Sequence, residues 1–270
     1  MSTIEKTATV RLHREVCGKG PAVLLIAGTP GDGGQFAALA HHLAGRHTVI
    51  SYDRRGTSRS AAPAGWTSTS VAEQADDAAA VLAEQGVDSA FVFGTSNGAA
   101  VALELALRHP DLVSGAAVHE MPLLTVVAEP EPVIAGMGAM IGSAMERGGP
   151  ALALEDFLRF AFTDGVVDGW NPALRSRMLS NAGMVFGVEL PAFQAYRPVE
   201  TELAAARVPI EVLVGQDQQA PFFLEAGEWL AGQLGTSVSR SPGAHGPQFT
   251  SPEELAELIA ALAESAPISR

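Results

Sequence analysis

A doubly wound, mostly parallel α/β sheet interrupted by a helical insertion is the fold this sequence predicts, and three observations carry it. Short apolar runs alternate with segments of helical periodicity at both ends of the chain. Each run has the length and composition of a strand buried on both faces. Between residues 121 and 206 the alternation stops, and only helix-like pieces follow. Strands separated by single helices imply a parallel sheet, because such crossovers are right-handed and place the strands side by side.

The elements follow in order. The first buried strand is "PAVLLIAG" (Pro21–Gly28), preceded by an edge strand that contains His13. "QFAALAHHLAG" has helical spacing and closes at Gly45, and "HTVISYD" is the second strand. "SVAEQADDAAAVLAEQG" is the next helix, with Ser70 and Glu73 at capping-box spacing and Gly86 as its stop. "SAFVFG" is the third strand, leading into a helix from about Asn97 to His109. "LVSGAAVHE" is the fourth, "PIEVLVG" (Pro209–Gly215) the fifth, and "TSVSRSPG" a shorter, more polar sixth. The last helix opens at Ser251-Pro252-Glu253-Glu254, where serine suits the N-cap and proline the first helical position.

The expected division is a core of residues 1–120 and 207–270 with a helical cap, or lid, at 121–206. Six of the seven methionines lie in that insertion, together with Phe157, Phe160, Phe162, Trp170, Phe186 and Phe193. Most of these side chains are expected to pack the insertion onto the core. Some should line a cleft where cap meets sheet, since such clefts favour ligands and methionine adapts to irregular apolar walls.

A chain of 270 residues with 47% hydrophobic and 17% charged residues has the composition of a soluble globular protein. Its formal net charge of −13 argues against nucleic acid as a partner, because phosphates would be repelled. The start "MSTIEKTATVRLHREV" has no apolar core of signal-peptide length, and no apolar run is long enough to span a membrane. The single cysteine, Cys17, cannot form an internal disulfide and reads as a buried, inert thiol. These features lead to the expectation of a cytoplasmic protein with no membrane partner; the choice between monomer and homodimer is left open.

The chemistry gathers around "FVFGTSNGAA". Gly94-Thr95-Ser96-Asn97-Gly98 joins a strand to a helix without a break. Glycines two residues either side of a serine allow a turn tight enough to force the central residue into strained dihedrals. That geometry lifts Ser96 above the helix N-terminus, where developing negative charge is favoured, and aims the Asn97 N–H at a bound carbonyl oxygen. A serine hydroxyl needs a base. Of the seven histidines, His245 alone sits in a glycine-flanked loop, "SPGAHGPQF", after the last strand, at the sheet edge where ligands gather.

The base in turn needs an acceptor to fix its tautomer. Asp217, just after the fifth strand in "VLVGQDQQAP", is the leading candidate; Glu120, after the fourth strand in "AVHEMP", is the alternative acid. His119 then reads as a pocket or hydrogen-bonding residue, and Met121, Phe160, Trp170 and Phe186 as candidate pocket walls. The second oxyanion donor is expected from the N–H of Thr29 in "LLIAGTPGDGG".

With these motifs in place the chain resembles the α/β-hydrolase superfamily over nearly all of its length. The resemblance rests on "GTSNG", "AGTPGDGG", "YDRRGTSRS", "LVGQDQQAP" and "AHGPQFTSPEEL", and on the order serine, aspartate, histidine. It implies an α/β-hydrolase fold, no cofactor and no metal, and a brace beneath the site formed by Asp53 and Arg54. It also implies a serine hydrolase that cleaves a carboxylic ester or lactone through an acyl-enzyme, and the methionine- and phenylalanine-rich cap leads to the expectation of an apolar substrate of moderate size. Thioester, carbon–carbon bond or peracid chemistry on a specific intermediate is the alternative, and a non-catalytic ligand-binding protein the third reading.

Overall fold

The computed structural model describes residues 10–266. Residues 1–9 and 267–270, the outer ends of the two expected core segments, lie outside the described residues. Strands β1 (Arg14–Gly18), β2 (Ala22–Ile26), β3 (Thr48–Tyr52), β4 (Ala90–Thr95), β5 (Val113–His119), β6 (Ile210–Gly215) and β7 (Val238–Ser241) form one sheet in the order β1-β3-β2-β4-β5-β6-β7. Only the β1–β3 pairing is antiparallel.

Side-chain alternation splits each central strand between two cores. Val92 of β4 and Leu24 and Ile26 of β2 face one layer, built with α2 (Val71–Glu84) and α3 (Asn97–Arg108). Phe91 and Phe93 of β4 and Val23 and Leu25 of β2 face the other. There they meet Leu39 and Leu43 of α1 (Ala37–Leu43), and Leu255 and Ile259 of the C-terminal helix Pro252–Ser265. Each such fully buried side chain stabilises the fold by about 1.5–3 kcal/mol, so both layers are needed to hold a sheet this apolar.

Two details depart from the sequence reading. Cys17 is exposed, because β1 is a short edge strand with only β3 to cover it. Ser251 precedes the last helix but its side chain makes no capping bond; its ψ of 52° lies outside the extended region that capping favours. Ser70 does cap α2, accepting from Glu73 N at 3.0 Å. The Glu73 carboxylate does not close the box and instead meets Arg55, Trp66 and Thr69.

Between β5 and β6 the described chain is helical and carries no strand. Its longest element, α4 (Glu131–Phe162), breaks at Gly149, whose φ of 76° and ψ of −168° are followed by Pro150. A smaller core of Leu154, Leu158, Phe162, Trp170, Leu174 and Met178 holds the insertion together. A π-helical turn, Val185–Glu189, follows. No helix among the described residues is long and apolar enough to cross a membrane.

Candidate active site

The chain winds in opposite directions from β2 and from β4, so their carboxyl ends border the crevice where doubly wound sheets bind ligands. Ser96 lies there, between the end of β4 and the first turn of α3. Its φ of 55° and ψ of −131° are strained for a residue with a Cβ. The strain is enforced by close approach: a Cβ on Gly98 would lie 2.3 Å from the carbonyl oxygen of Ile26. Ser96 N donates to His119 O at 2.8 Å, which ties the elbow to β5.

His245 follows β7 and is 6% exposed. The Phe223 ring stacks on it with centroids 4.8 Å apart, and Phe162 lies 5.4 Å away. Its Nδ1 is 2.7 Å from Glu120 Oε2. Glu120 sits immediately past β5 with a φ of 45°, and its backbone N–H donates to Leu213 O at 3.0 Å. The carboxylate is fully engaged: Gly215 N donates to Oε1 at 2.9 Å, and Gln218 Nε2 to Oε2 at 2.6 Å. Burial alone would raise the Glu120 carboxyl; the His245 bond, the nearby His119 and the Gly215 N–H outweigh it and hold the group below the usual carboxylate range.

The geometry therefore corrects the expectation for Asp217. That side chain is exposed, and the partner on His245 Nδ1 is Glu120. The loop after β6 is used differently: Asp217 N donates to Gly243 O at 2.9 Å, and the neighbouring Gln218 reaches back to Glu120. His119 is wholly buried behind the site, with Thr95 Oγ1 3.0 Å from its Nδ1 and its Nε2 4.0 Å from Glu120 Oε1. Burial, more than any charge, pushes its pKa down to about 4.

Thr29 and Asn97, the expected oxyanion donors, are brought together. Asn97 Nδ2 donates to Thr29 Oγ1 at 2.8 Å. The loop after β2 that carries Thr29 is tethered from below, with Arg54 Nε donating to Ala27 O at 3.0 Å and Gly33 N to Asp53 Oδ1 at 2.9 Å. It is also tethered by the insertion: Asn181 Nδ2 donates to Pro30 O at 2.8 Å, and Arg177 Nε to Asp32 Oδ2 at 2.6 Å. No sequence signal marked Asn181, Arg177 or the buried Glu189 of the π-helical turn as partners of a loop that far upstream.

Ser96, Asn97, Asp217 and His245 line a cavity of about 470 Å³. Met137, Phe157, Phe160, Leu190, Phe193 and Phe222 supply its apolar wall. No hydrogen bond joins Ser96 Oγ to His245 among the described residues; such bonds commonly tighten only when substrate binds. Of the expected pocket walls, Phe160 is in place. Trp170 and Phe186 pack within the insertion's own core, because that segment needs aromatic mass to hold itself together. Met121 and His119 are buried in the main body rather than on the wall. Among the described residues no group of three or more His, Cys, Asp or Glu side chains is arranged to hold a metal ion.

Comparison with known proteins agrees with this architecture. The family model for the alpha/beta hydrolase fold matches residues 21–136. An uncharacterized hydrolase, YraK, of Bacillus subtilis (strain 168) is 41% identical over 116 residues, 43% of either chain. A putative carbamate hydrolase, RutD, of Azorhizobium caulinodans is 41% identical over 102 residues, 38% of either chain. These matches span less than half the length of the curated relatives.

Solved structures are similar over the whole fold. A thermophilic esterase from Thermogutta terrifontis aligns with a TM-score of 0.76 at 23% identity, covering 97% of this chain and 96% of that one. An enol-lactonase from Burkholderia xenovorans LB400 aligns with a TM-score of 0.75 at 18% identity, covering 96% of this chain and 98% of that one. The whole chain therefore has the α/β-hydrolase fold, and its residues 21–136 match that family's model.

Proposed function

We propose that the chain is a serine hydrolase acting on a carboxylic ester or lactone of moderate size and apolar character. The single observation that carries this reading is the 2.7 Å contact between His245 Nδ1 and Glu120 Oε2 beside a strained Ser96, all at one sheet edge. A carboxylate on Nδ1 leaves Nε2 as the basic nitrogen of the neutral ring, available to take the Ser96 proton. Ser96 attacks the carbonyl carbon, and the N–H groups of Asn97 and Thr29 receive the oxyanion. His245 then protonates the leaving alcohol, and water repeats the cycle to release the acid and free Ser96. Glu120 keeps its charge throughout and stabilises the imidazolium as it forms. The apolar wall of the 470 Å³ cavity supports an apolar acyl or alcohol group as the bound part.

A carbamate is the second reading, favoured by the 41% identity to the relative named a putative carbamate hydrolase. The same residues would attack its carbonyl, but the intermediate is a carbamoyl-enzyme, which water clears more slowly because nitrogen donates into the carbonyl.

The test is a panel of p-nitrophenyl esters, lactones and aryl carbamates offered to wild type and Ser96→Ala. An initial burst with the esters, absent from Ser96→Ala, supports ester hydrolysis through an acyl-enzyme. Turnover that survives in Ser96→Ala contradicts the proposal.

A further inference from the structure

The strongest observation left unused by this chemistry is a wholly buried ion pair between the insertion and the core. Arg54 and Glu189 are 1% and 0% exposed, with Nη1 and Oε1 2.6 Å apart. A buried pair of this kind rarely gains net stability over apolar residues of the same shape, so its place in the structure asks for another reason. Arg54 Nη1 also donates to Gln74 Oε1, and two further donors reach the backbone just before Thr29: Nε to Ala27 O at 3.0 Å and Nη2 to Gly28 O at 3.2 Å. Glu189 Oε2 accepts from Arg54 Nη2 at 3.0 Å and from Thr29 Oγ1 at 3.4 Å.

A trans peptide is planar, and its C=O and N–H point in opposite directions. Gly28 O and Thr29 N–H belong to one such plane. Holding Gly28 O on Arg54 therefore turns the Thr29 N–H away from Arg54. Gly28 itself lies against the nucleophile, since a Cβ there would sit 2.8 Å from Ser96 Cβ. The Thr29 hydroxyl gives its single proton to Glu189 and so is left as acceptor for Asn97 Nδ2 at 2.8 Å. One carboxylate thus fixes the peptide plane of one oxyanion donor and the side-chain link to the other.

We propose that Glu189, carried by the helical insertion, is a positioning residue that sets the oxyanion site through Arg54 and Thr29. The insertion is then part of the catalytic machinery and not only a wall of the cavity. This rests on the serine-hydrolase reading above. Glu189 touches no reacting atom; it acts by denying the Gly28–Thr29 peptide its flipped orientation.

The test compares wild type, Glu189→Gln, Thr29→Val and Thr29→Ser for kcat and KM on p-nitrophenyl butyrate. Inhibition by phenylboronic acid, whose tetrahedral adduct mimics the transition state, is measured in parallel. With the lock removed, kcat falls about 10- to 100-fold in Glu189→Gln and Thr29→Val, a little less than the loss of a whole donor. KM stays within about twofold, because ground-state binding is untouched. Boronate affinity falls in step with kcat, and Thr29→Ser, which keeps the hydroxyl, recovers most of the loss.

Folded Glu189→Gln with wild-type kcat, a loss confined to KM, or equal effects of Thr29→Val and Thr29→Ser would each overturn the proposal. Should Glu189→Gln fail to fold, the Thr29 pair decides alone. Wild type that hydrolyses no ester and binds no boronate overturns the hydrolase reading and this inference with it; an active wild type with unaffected variants overturns the inference only.

Discussion

Glu120 and His245 meet 2.7 Å apart across the ends of β5 and β7, with β6 between them. The carboxylate that meets the imidazole therefore rises from the strand beside the one that carries Ser96, while Asp217, from the loop after β6, stays exposed.

Substituting the two acids separates their roles. Glu120→Gln keeps the volume but loses the charge, and turnover falls roughly 10³- to 10⁴-fold, the loss seen when a triad acid is neutralised. Asp217→Asn removes an exposed, well-screened charge, and kcat stays within about threefold. Steady-state kinetics on one ester checks both, and the reverse ranking contradicts the Glu120 assignment.

Acid should destabilise the fold in two stages. Burial holds His119 at about 4 against an ordinary 6.5. Between those values the unfolded chain binds a proton that the folded chain refuses, so stability falls as pH falls through that window. The full slope is about 1.4 kcal/mol per pH unit. Glu120 adds a second loss at lower pH: its folded carboxyl lies below the ordinary 4.5, so its contribution is present above that value and disappears as pH drops through the folded one. His119→Gln removes the first stage only. Urea midpoints near pH 7 and pH 5 differ less in His119→Gln than in wild type if this is right.

The elbow tolerates no side chain at Gly98. Its Cβ would stand 2.3 Å from Ile26 O and 2.6 Å from Ala27 O, backbone atoms of β2 and its following loop that cannot swing aside. Gly98→Ala should destabilise by about 1–3 kcal/mol and displace Ser96 as well. A thermal melt together with the ester assay reads both effects, and a variant with wild-type stability and activity contradicts the packing argument.

Two aromatic residues of the insertion should part company. Phe160 is 57% exposed and lines the cavity, so Phe160→Ala leaves stability within about 0.5 kcal/mol but raises KM for apolar esters. Trp170 is 7% exposed and packs on Phe162 and Phe249, so Trp170→Ala costs roughly 3–5 kcal/mol. Denaturation midpoints and an acyl-length series for the two variants make the comparison.

Ser96 and His245 are legible in the sequence because each is marked by its neighbours. Gly94 and Gly98 frame the turn, and Gly243 and Gly246 frame the loop after a strand. The sheet is legible for the same local reason: a strand buried on both faces has to be apolar throughout. The acid is not marked in this way. Asp217 and Glu120 each follow a strand, and only the path of the β7 loop decides which one His245 reaches. Glu120 also needs a φ of 45°, and no neighbouring residue announces it. The Arg54–Glu189 contact spans 135 positions and passes through a π-helical turn, so no local pattern foretells it. Trp170 and Phe186 look like pocket residues in one dimension, yet the insertion uses them as its own core.

We propose that Glu120 and His245 activate Ser96. Intact-mass labelling with a small fluorophosphonate, followed by peptide mapping, tests it on wild type, Glu120→Gln, Asp217→Asn and Ser96→Ala. One adduct on Ser96 is expected in wild type and Asp217→Asn at similar rates, with a labelling rate lower by at least about 10²-fold in Glu120→Gln and no adduct in Ser96→Ala. A folded wild type that takes no adduct, or a Glu120→Gln variant that labels as fast as wild type, would contradict it.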